Sequence, residues 1–112
     1  MLGVFRGGFV AVPVVLNEED KWRITSEMVG EEIKRGVSVV LTSNPRNPTG
    51  MVVKGEELKK IQDICRDKAT LVMDEFYSGY YYGSGCDGSM VSAAENVKGE
   101  FFFGLWVLGC RM

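Results

Sequence analysis

Three polar residues, Asn47, Asp74 and Tyr77, are the best candidates for binding a ligand. Asn47 lies in the stretch SNPRNPTG (residues 43–50), and the other two lie in LVMDEFYSGY (residues 71–80). An amide, a carboxylate and a phenol supply hydrogen-bond donors and one negative charge. Each has an ordinary structural explanation, because Asn-Pro forms turns, an Asp ends many strands and a Tyr commonly packs half-buried. Their occurrence together indicates a binding site.

The elements around these residues predict that they meet at one edge of a sheet. Residues 37–42 (VSVVLT) form an apolar run typical of a strand buried on both faces. An amphipathic helix is predicted over 55–67, followed by an apolar strand over 70–74. This order is a βαβ unit with parallel strands. Ligands bind at the carboxyl ends of such strands, so Asn47 and Asp74 are expected to face one crevice.

The rest of the chain gives weaker predictions. The Val-rich residues 9–16 favour a strand near a sheet edge, and residues 21–24 favour a second short extended piece. A helix is predicted over 26–35, with Thr25 or Ser26 as N-cap and Gly36 at the C-terminal end. Residues 79–89 read as a loop rich in Gly, Tyr and Ser, and residues 89–96 as a short helix.

Composition excludes several classes of function. The chain has 112 residues and no His, which removes His-based catalysis and most zinc sites, and we expect no metal site. The net charge of −2 without a basic face indicates neither nucleic acid nor an anionic membrane as partner. The three Cys residues are odd in number and lack C-x-x-C spacing, so we expect reduced thiols and a cytoplasmic protein.

The combination of SNPRNPTG with LVMDEFYSGY resembles the class I/II aminotransferases, which are pyridoxal-phosphate (PLP) enzymes of fold type I. The resemblance covers roughly residues 9–97 and, through DEFYSGY and CDGSMVSAAENV, is greatest to fungal members. It implies an α/β fold: part of a three-layer sandwich with a mainly parallel sheet. It also implies amino acid and 2-oxo acid substrates, a role in amino acid metabolism and a homodimer. Aminotransferases, carbon–sulfur lyases and aminocyclopropane-carboxylate synthases share these motifs, so the reaction stays open.

The resemblance also implies a role for each candidate residue. Asp74 would pair with the pyridine nitrogen of PLP and keep it protonated, because a nearby carboxylate favours the cationic form. The Asn47 amide and the Tyr77 hydroxyl would donate hydrogen bonds to the phenolic oxygen of the ring. Pro45 and Pro48 restrict the loop that carries Asn47, and we predict a cis peptide at Asn47–Pro48.

The sequence departs from the family at the catalytic Lys. Members bind PLP through a Lys in a Ser/Thr-x-x-Lys setting some thirty residues beyond the Asp, whereas the only Lys after residue 68 here is Lys98, in ENVK. We therefore assign no catalytic residue and expect this chain alone to be marginally stable and inactive as a transaminase. We divide it into a partial large domain (1–97) and an unrelated apolar tail (98–112) that a mis-predicted gene model would produce.

Two alternatives belong to other classes of protein. LVMDE resembles the Walker-B strand of a nucleotide hydrolase, but no G-x-x-x-x-G-K-[ST] loop precedes it. The other alternative is a non-catalytic interaction module that docks onto a full-length homologue. Co-purification with such a homologue would distinguish this module from a fragment of an enzyme.

Overall fold

The computed structural model describes residues 8–78, which contain two helices and two strands in the order α1, β1, α2, β2. Helix α1 spans Ser26–Lys34, strand β1 Val39–Ser43, helix α2 Gly55–Cys65 and strand β2 Thr70–Asp74. The predicted βαβ unit and the α/β fold are confirmed, and β2 has the predicted bounds. The predicted loop over 79–89, the helix over 89–96 and the tail lie outside the described residues.

Strands β1 and β2 are parallel and pair in register from Val39 opposite Thr70 to Ser43 opposite Asp74. Side chains alternate between the two faces of a strand, so every second residue points toward the helices. On that inner face Val40 and Leu71 pack against the core, and Met73 is buried. The register therefore places the ends of both strands, where the polar residues begin, side by side.

The prediction that β1 is buried on both faces is wrong for the described residues. Val39 and Leu41 are 44% and 60% exposed, because in residues 8–78 both helices contribute to one core on the opposite face. Helices α1 and α2 pack together there through Val29, Ile61 and Cys65. A continuous apolar run thus predicted the strand correctly but did not determine how many of its faces are covered.

Helix α1 begins at Ser26 as predicted and ends at Lys34, one residue earlier than predicted, with Arg35 rather than Gly36 as its C-cap. The hydroxyl of Thr25 accepts a hydrogen bond from the Met28 amide at 3.3 Å, so Thr25 is the N-cap. Gly36 follows the helix with φ of +102°, a conformation that glycine adopts without the strain of a Cβ. The first turn is also held to α2, because a Glu57 carboxylate oxygen accepts from the Ser26 amide at 2.7 Å.

The predicted strand over residues 9–16 is wrong for this structure. These residues have no regular secondary structure, and Val10 is 88% exposed. A strand is stabilised by pairing with a neighbour, and within residues 8–78 the ladder consists of β1 and β2 alone. The extended piece over 21–24 is wrong as well, since Lys21 and Trp22 have positive φ in a turn closed by the Trp22 amide on the Asn17 carbonyl at 2.8 Å.

No helix in residues 8–78 has both the length and the apolar character needed to cross a membrane.

Cys65 gives the fold a testable pH dependence. Its side chain packs beside Val29 and Ile61, and burial raises the pKa of the thiol above its usual value. The unfolded chain therefore loses this proton at a lower pH than the folded chain. The contribution to stability is fully present below the unfolded pKa of about 8.5 and is lost as the pH rises from there through the raised folded pKa. We expect the free energy of unfolding, measured in urea, to be constant in this respect at neutral pH and to fall as the pH rises above about 8.5. Cys65→Ala should show a smaller fall, and an equal fall in both proteins would contradict the prediction.

Candidate functional site

The loop over residues 43–50 leaves β1 and is held by its own backbone and by β2. The Asn44 amide donates to the Asp74 carbonyl at 2.8 Å, which joins the start of the loop to the end of β2. Within the loop, the Arg46 amide donates to the Met51 carbonyl at 2.9 Å, and the Gly50 amide donates to the Arg46 carbonyl at 2.7 Å. Both Asn-Pro bonds are cis, so the prediction for Asn47–Pro48 is confirmed and extends to Asn44–Pro45.

Asn44 fixes this loop from the inside. Its side chain is 1% exposed, and its two polar atoms bind the backbone of Val53. The Asn44 Nδ2 donates to the Val53 carbonyl at 2.7 Å, and the Val53 amide donates to Asn44 Oδ1 at 2.9 Å. A side-chain amide offers both a donor and an acceptor, so it replaces the pairing that a neighbouring strand would supply.

The two Asn-Pro pairs therefore have different roles, which the sequence reasoning missed. Asn44 is buried and structural, whereas Asn47 is exposed and lies three residues further along the loop. The sequence offered one signal for this difference, the position of each Asn relative to the strand. Asn44 directly follows the last residue of β1, and Asn47 does not. Position alone indicates a role at the strand end but does not establish burial.

Tyr77 meets Asn47 as the motifs predict. The Asn47 Nδ2 donates to the Tyr77 hydroxyl oxygen at 3.4 Å across 30 residues of sequence. Tyr77 is also packed edge-on against the Phe76 ring, with 4.9 Å between the ring centroids. The amide and the hydroxyl therefore lie close enough to donate to one shared acceptor atom.

Asp74 ends β2 and faces the same region. Its Oδ1 accepts from the Phe76 amide at 2.9 Å, a local turn that fixes one carboxylate oxygen. Asp74 and Asn47 both line a cavity of about 550 Å³, together with Thr42, Ser43 and Arg46. The other walls of this cavity are mostly apolar side chains from α1, β1 and residues 12–16. Asn47 and Asp74 thus line one cavity, and the hydrogen bond from Asn47 holds the Tyr77 hydroxyl beside it.

Arg46 is a second residue that the sequence reasoning did not assign. It is half-buried on the cavity wall, where Nη2 donates to Thr42 Oγ1 at 2.9 Å and Nη1 donates to the Trp22 carbonyl at 3.3 Å. Burial lowers the pKa of its guanidinium from the usual value. The site therefore combines a carboxylate, a guanidinium and two neutral donors around one space.

Within residues 8–78, no three side chains of His, Cys, Asp or Glu come together as metal ligands would.

The fold and these motifs define a class of protein that comparison with known proteins identifies. The family model "Aminotransferase class I and II" matches residues 4–103, and the chain belongs to this family. The family is PLP-dependent. Its match removes the nucleotide-hydrolase alternative, whereas the domain boundary at residue 97 and the greater likeness to fungal members stay predictions.

Individual relatives are similar over most of this chain. It is 34% identical over 99 residues to the "Probable aspartate/prephenate aminotransferase" of Aquifex aeolicus, covering 88% of this chain and 25% of the relative. It is 30% identical over 92 residues to the "Aspartate aminotransferase" of Geobacillus stearothermophilus, and the match covers 80% of this chain and 23% of the relative. It is 35% identical over 100 residues to "1-aminocyclopropane-1-carboxylate synthase 6" of Oryza sativa, and the match covers 83% of this chain and 18% of the relative.

The chain thus spans about a quarter or less of the length of these relatives. No solved structure matches it.

Proposed function

We propose that this chain carries one wall of the PLP site of an aminotransferase, formed by Asn47, Asp74 and Tyr77. The activity of the complete site would be transfer of an amino group between an amino acid and a 2-oxo acid, acting in amino acid metabolism. One observation carries the proposal: Asn47 contacts Tyr77 at 3.4 Å and shares a cavity with Asp74. Asp74 is the last residue of β2, and Asn47 and Tyr77 lie in the segments that follow the two parallel strands, where ligands of α/β proteins bind.

The chemical types of these groups fit the cofactor. Asp74 would bind the pyridine nitrogen and hold its proton, since a carboxylate favours the protonated ring. Asn47 and Tyr77 would donate to the ring's phenolic oxygen and stabilise its negative charge. PLP, when bound, withdraws electrons from the bond that is broken at the amino acid Cα. No residue of this chain is proposed to transfer a proton there, because the sequence offers no Lys in the family setting.

A direct test uses pyridoxine 5′-phosphate as the probe. It keeps the ring, the phenol and the phosphate of PLP but has no aldehyde, so it does not react with lysine amines. We expect saturable binding of one probe per 112-residue chain by calorimetry. Tyr77→Phe is expected to raise the pKa of the bound probe's ring hydroxyl, followed by absorbance, because one donor to the oxyanion is removed. Absence of saturable binding by the wild-type chain would contradict the proposal.

A second candidate is a non-catalytic module that docks onto a full-length homologue. The exposed Val39 and Leu41 favour it, because apolar side chains on an uncovered face of a sheet commonly mark an interface. Family members are expected to be homodimers, so a full-length homologue would have a dimer surface onto which this chain could dock. Co-expression with a full-length homologue separates the candidates, since a docking module would co-purify with it even when Asp74 is replaced by Asn.

A further inference from the structure

We propose that Arg46 is a positioning residue, whose guanidinium holds the loop over residues 43–50 so that the Asn47 amide stays beside the Tyr77 hydroxyl. The inference deepens the proposed function and rests on it, because Asn47 and Tyr77 are two of the three groups proposed to bind the cofactor. Arg46 directly precedes Asn47 in the chain and lines the same cavity. It acts through Asn47 and does not itself contact the ligand.

The guanidinium of Arg46 joins the loop to two other segments of the chain. Its Nη2 donates to Thr42 Oγ1 at 2.9 Å, near the end of β1, and its Nη1 donates to the Trp22 carbonyl at 3.3 Å, in the turn before α1. Both acceptors are neutral, so these contacts fix the direction of the side chain without neutralising its charge. A guanidinium is planar and its nitrogens have a fixed geometry, so two acceptors in different segments leave the group little freedom to rotate.

The Trp22 carbonyl is a fixed point because it belongs to a closed turn. The Trp22 amide donates to the Asn17 carbonyl at 2.8 Å, and the Asn17 Oδ1 accepts from the Asp20 amide at 2.8 Å. Lys21 and Trp22 have φ of +54° and +57°, a conformation that is costly for residues other than glycine. Such a conformation persists where the surrounding contacts hold it, and Arg46 supplies one of them.

The backbone of Arg46 is also held on both sides. Its amide donates to the Met51 carbonyl at 2.9 Å, and its carbonyl accepts from the Gly50 amide at 2.7 Å. The next residue, Asn47, therefore extends from an anchored point. Asn47 is exposed and its hydrogen bond to Tyr77 is long, 3.4 Å, so that contact is too weak to fix the amide by itself. The position of the amide thus depends on the support that Arg46 gives to the loop.

NMR of the ligand-free chain tests this support. In the wild-type chain we expect a nuclear Overhauser contact between the side-chain amide protons of Asn47 and the ring protons of Tyr77, since the amide nitrogen and the hydroxyl oxygen are 3.4 Å apart. Arg46→Gln should weaken or abolish this contact. Thr42→Val should weaken it too, because it removes the Oγ1 acceptor without changing any charge. Arg66→Gln is the matched control, an exposed Arg outside the cavity lining, and should leave the contact unchanged.

Absorbance titration of bound pyridoxine 5′-phosphate tests whether the position matters to a ligand. Asn47→Ala should raise the pKa of the probe's ring hydroxyl by about 0.5–1, because it removes a donor to the oxyanion. Arg46→Gln should raise this pKa by a smaller amount, and should add less than about 0.3 when Asn47 is already Ala. A direct effect of the guanidinium charge would add in full in that double variant. Arg46→Lys keeps the charge without the fork, so it should still raise the pKa.

The inference is overturned if the wild-type chain lacks the contact between Asn47 and Tyr77, or if Arg46→Gln keeps it. It is also overturned if Arg46→Gln changes the pKa of the probe equally with and without Asn47. Where Arg46→Gln does not fold, as circular dichroism and urea unfolding would show, Thr42→Val decides both measurements. A wild-type chain that binds no probe contradicts the proposed function, whereas the NMR comparison needs no ligand and still decides whether Arg46 places Asn47.

Discussion

Asp74→Asn is expected to weaken the binding of pyridoxine 5′-phosphate to this chain by about ten- to a hundredfold. The carboxylate would form a charge-assisted hydrogen bond to the protonated ring nitrogen, and an amide has no charge to favour that proton. Asp74 is suited to this role because β2 ends at it and the turn to the Phe76 amide fixes its Oδ1. The substitution keeps the size of the side chain, so it changes the charge with little change in packing.

The pKa of the ring nitrogen in the bound probe gives an independent measurement. A carboxylate raises the pKa of a cationic acid beside it, so Asp74→Asn should lower the pKa of that nitrogen in an absorbance titration. Asp67→Asn is the control, since Asp67 is exposed in the turn after α2 and lies outside the cavity lining. Unchanged affinity and an unchanged nitrogen pKa in Asp74→Asn would rule out Asp74 as the ring partner.

Asn44→Ala is expected to lower the free energy of unfolding by about 2–4 kcal/mol. The substitution removes both partners of the Val53 backbone, whose amide and carbonyl lie only partly exposed to water. It also leaves a small void where a side chain 1% exposed had packed. Urea unfolding measures the loss, and an unfolded variant would show no cooperative transition.

Asn47→Ala is the matched control for this prediction, because it changes the other Asn-Pro pair of the same loop. Asn47 is exposed and its side chain contacts Tyr77 at a long 3.4 Å, so the free energy of unfolding should change by less than about 0.5 kcal/mol. Asn44→Asp keeps an acceptor for the Val53 amide but loses the donor and places a buried negative charge beside the Val53 carbonyl oxygen, so a loss at least as large as that of Asn44→Ala is expected. Equal losses in Asn44→Ala and Asn47→Ala would show that burial does not separate the two pairs.

Local patterns were sufficient for the central elements. The amphipathic repeat predicted α2, which ends two residues earlier than expected, and the apolar run over 70–74 predicted β2. These predictions succeed because hydrophobic periodicity and helix capping depend on residues that are close together in the sequence. The same patterns misled over residues 9–16, where a Val-rich composition favours a strand but pairing depends on a partner elsewhere in the sheet.

By itself, the sequence determined that a βαβ unit carries Asn47, Asp74 and Tyr77 at the ends of parallel strands, since motif spacing and strand order are local properties. Only the tertiary structure decided which Asn of SNPRNPTG is buried, which face of β1 is covered and that Arg46 lies in the cavity without an acidic partner in residues 8–78. The physical reason is that burial and charge pairing depend on residues distant in sequence. Asn44 and Asn47 are each followed by Pro in the sequence, and only their surroundings in the folded chain distinguish them.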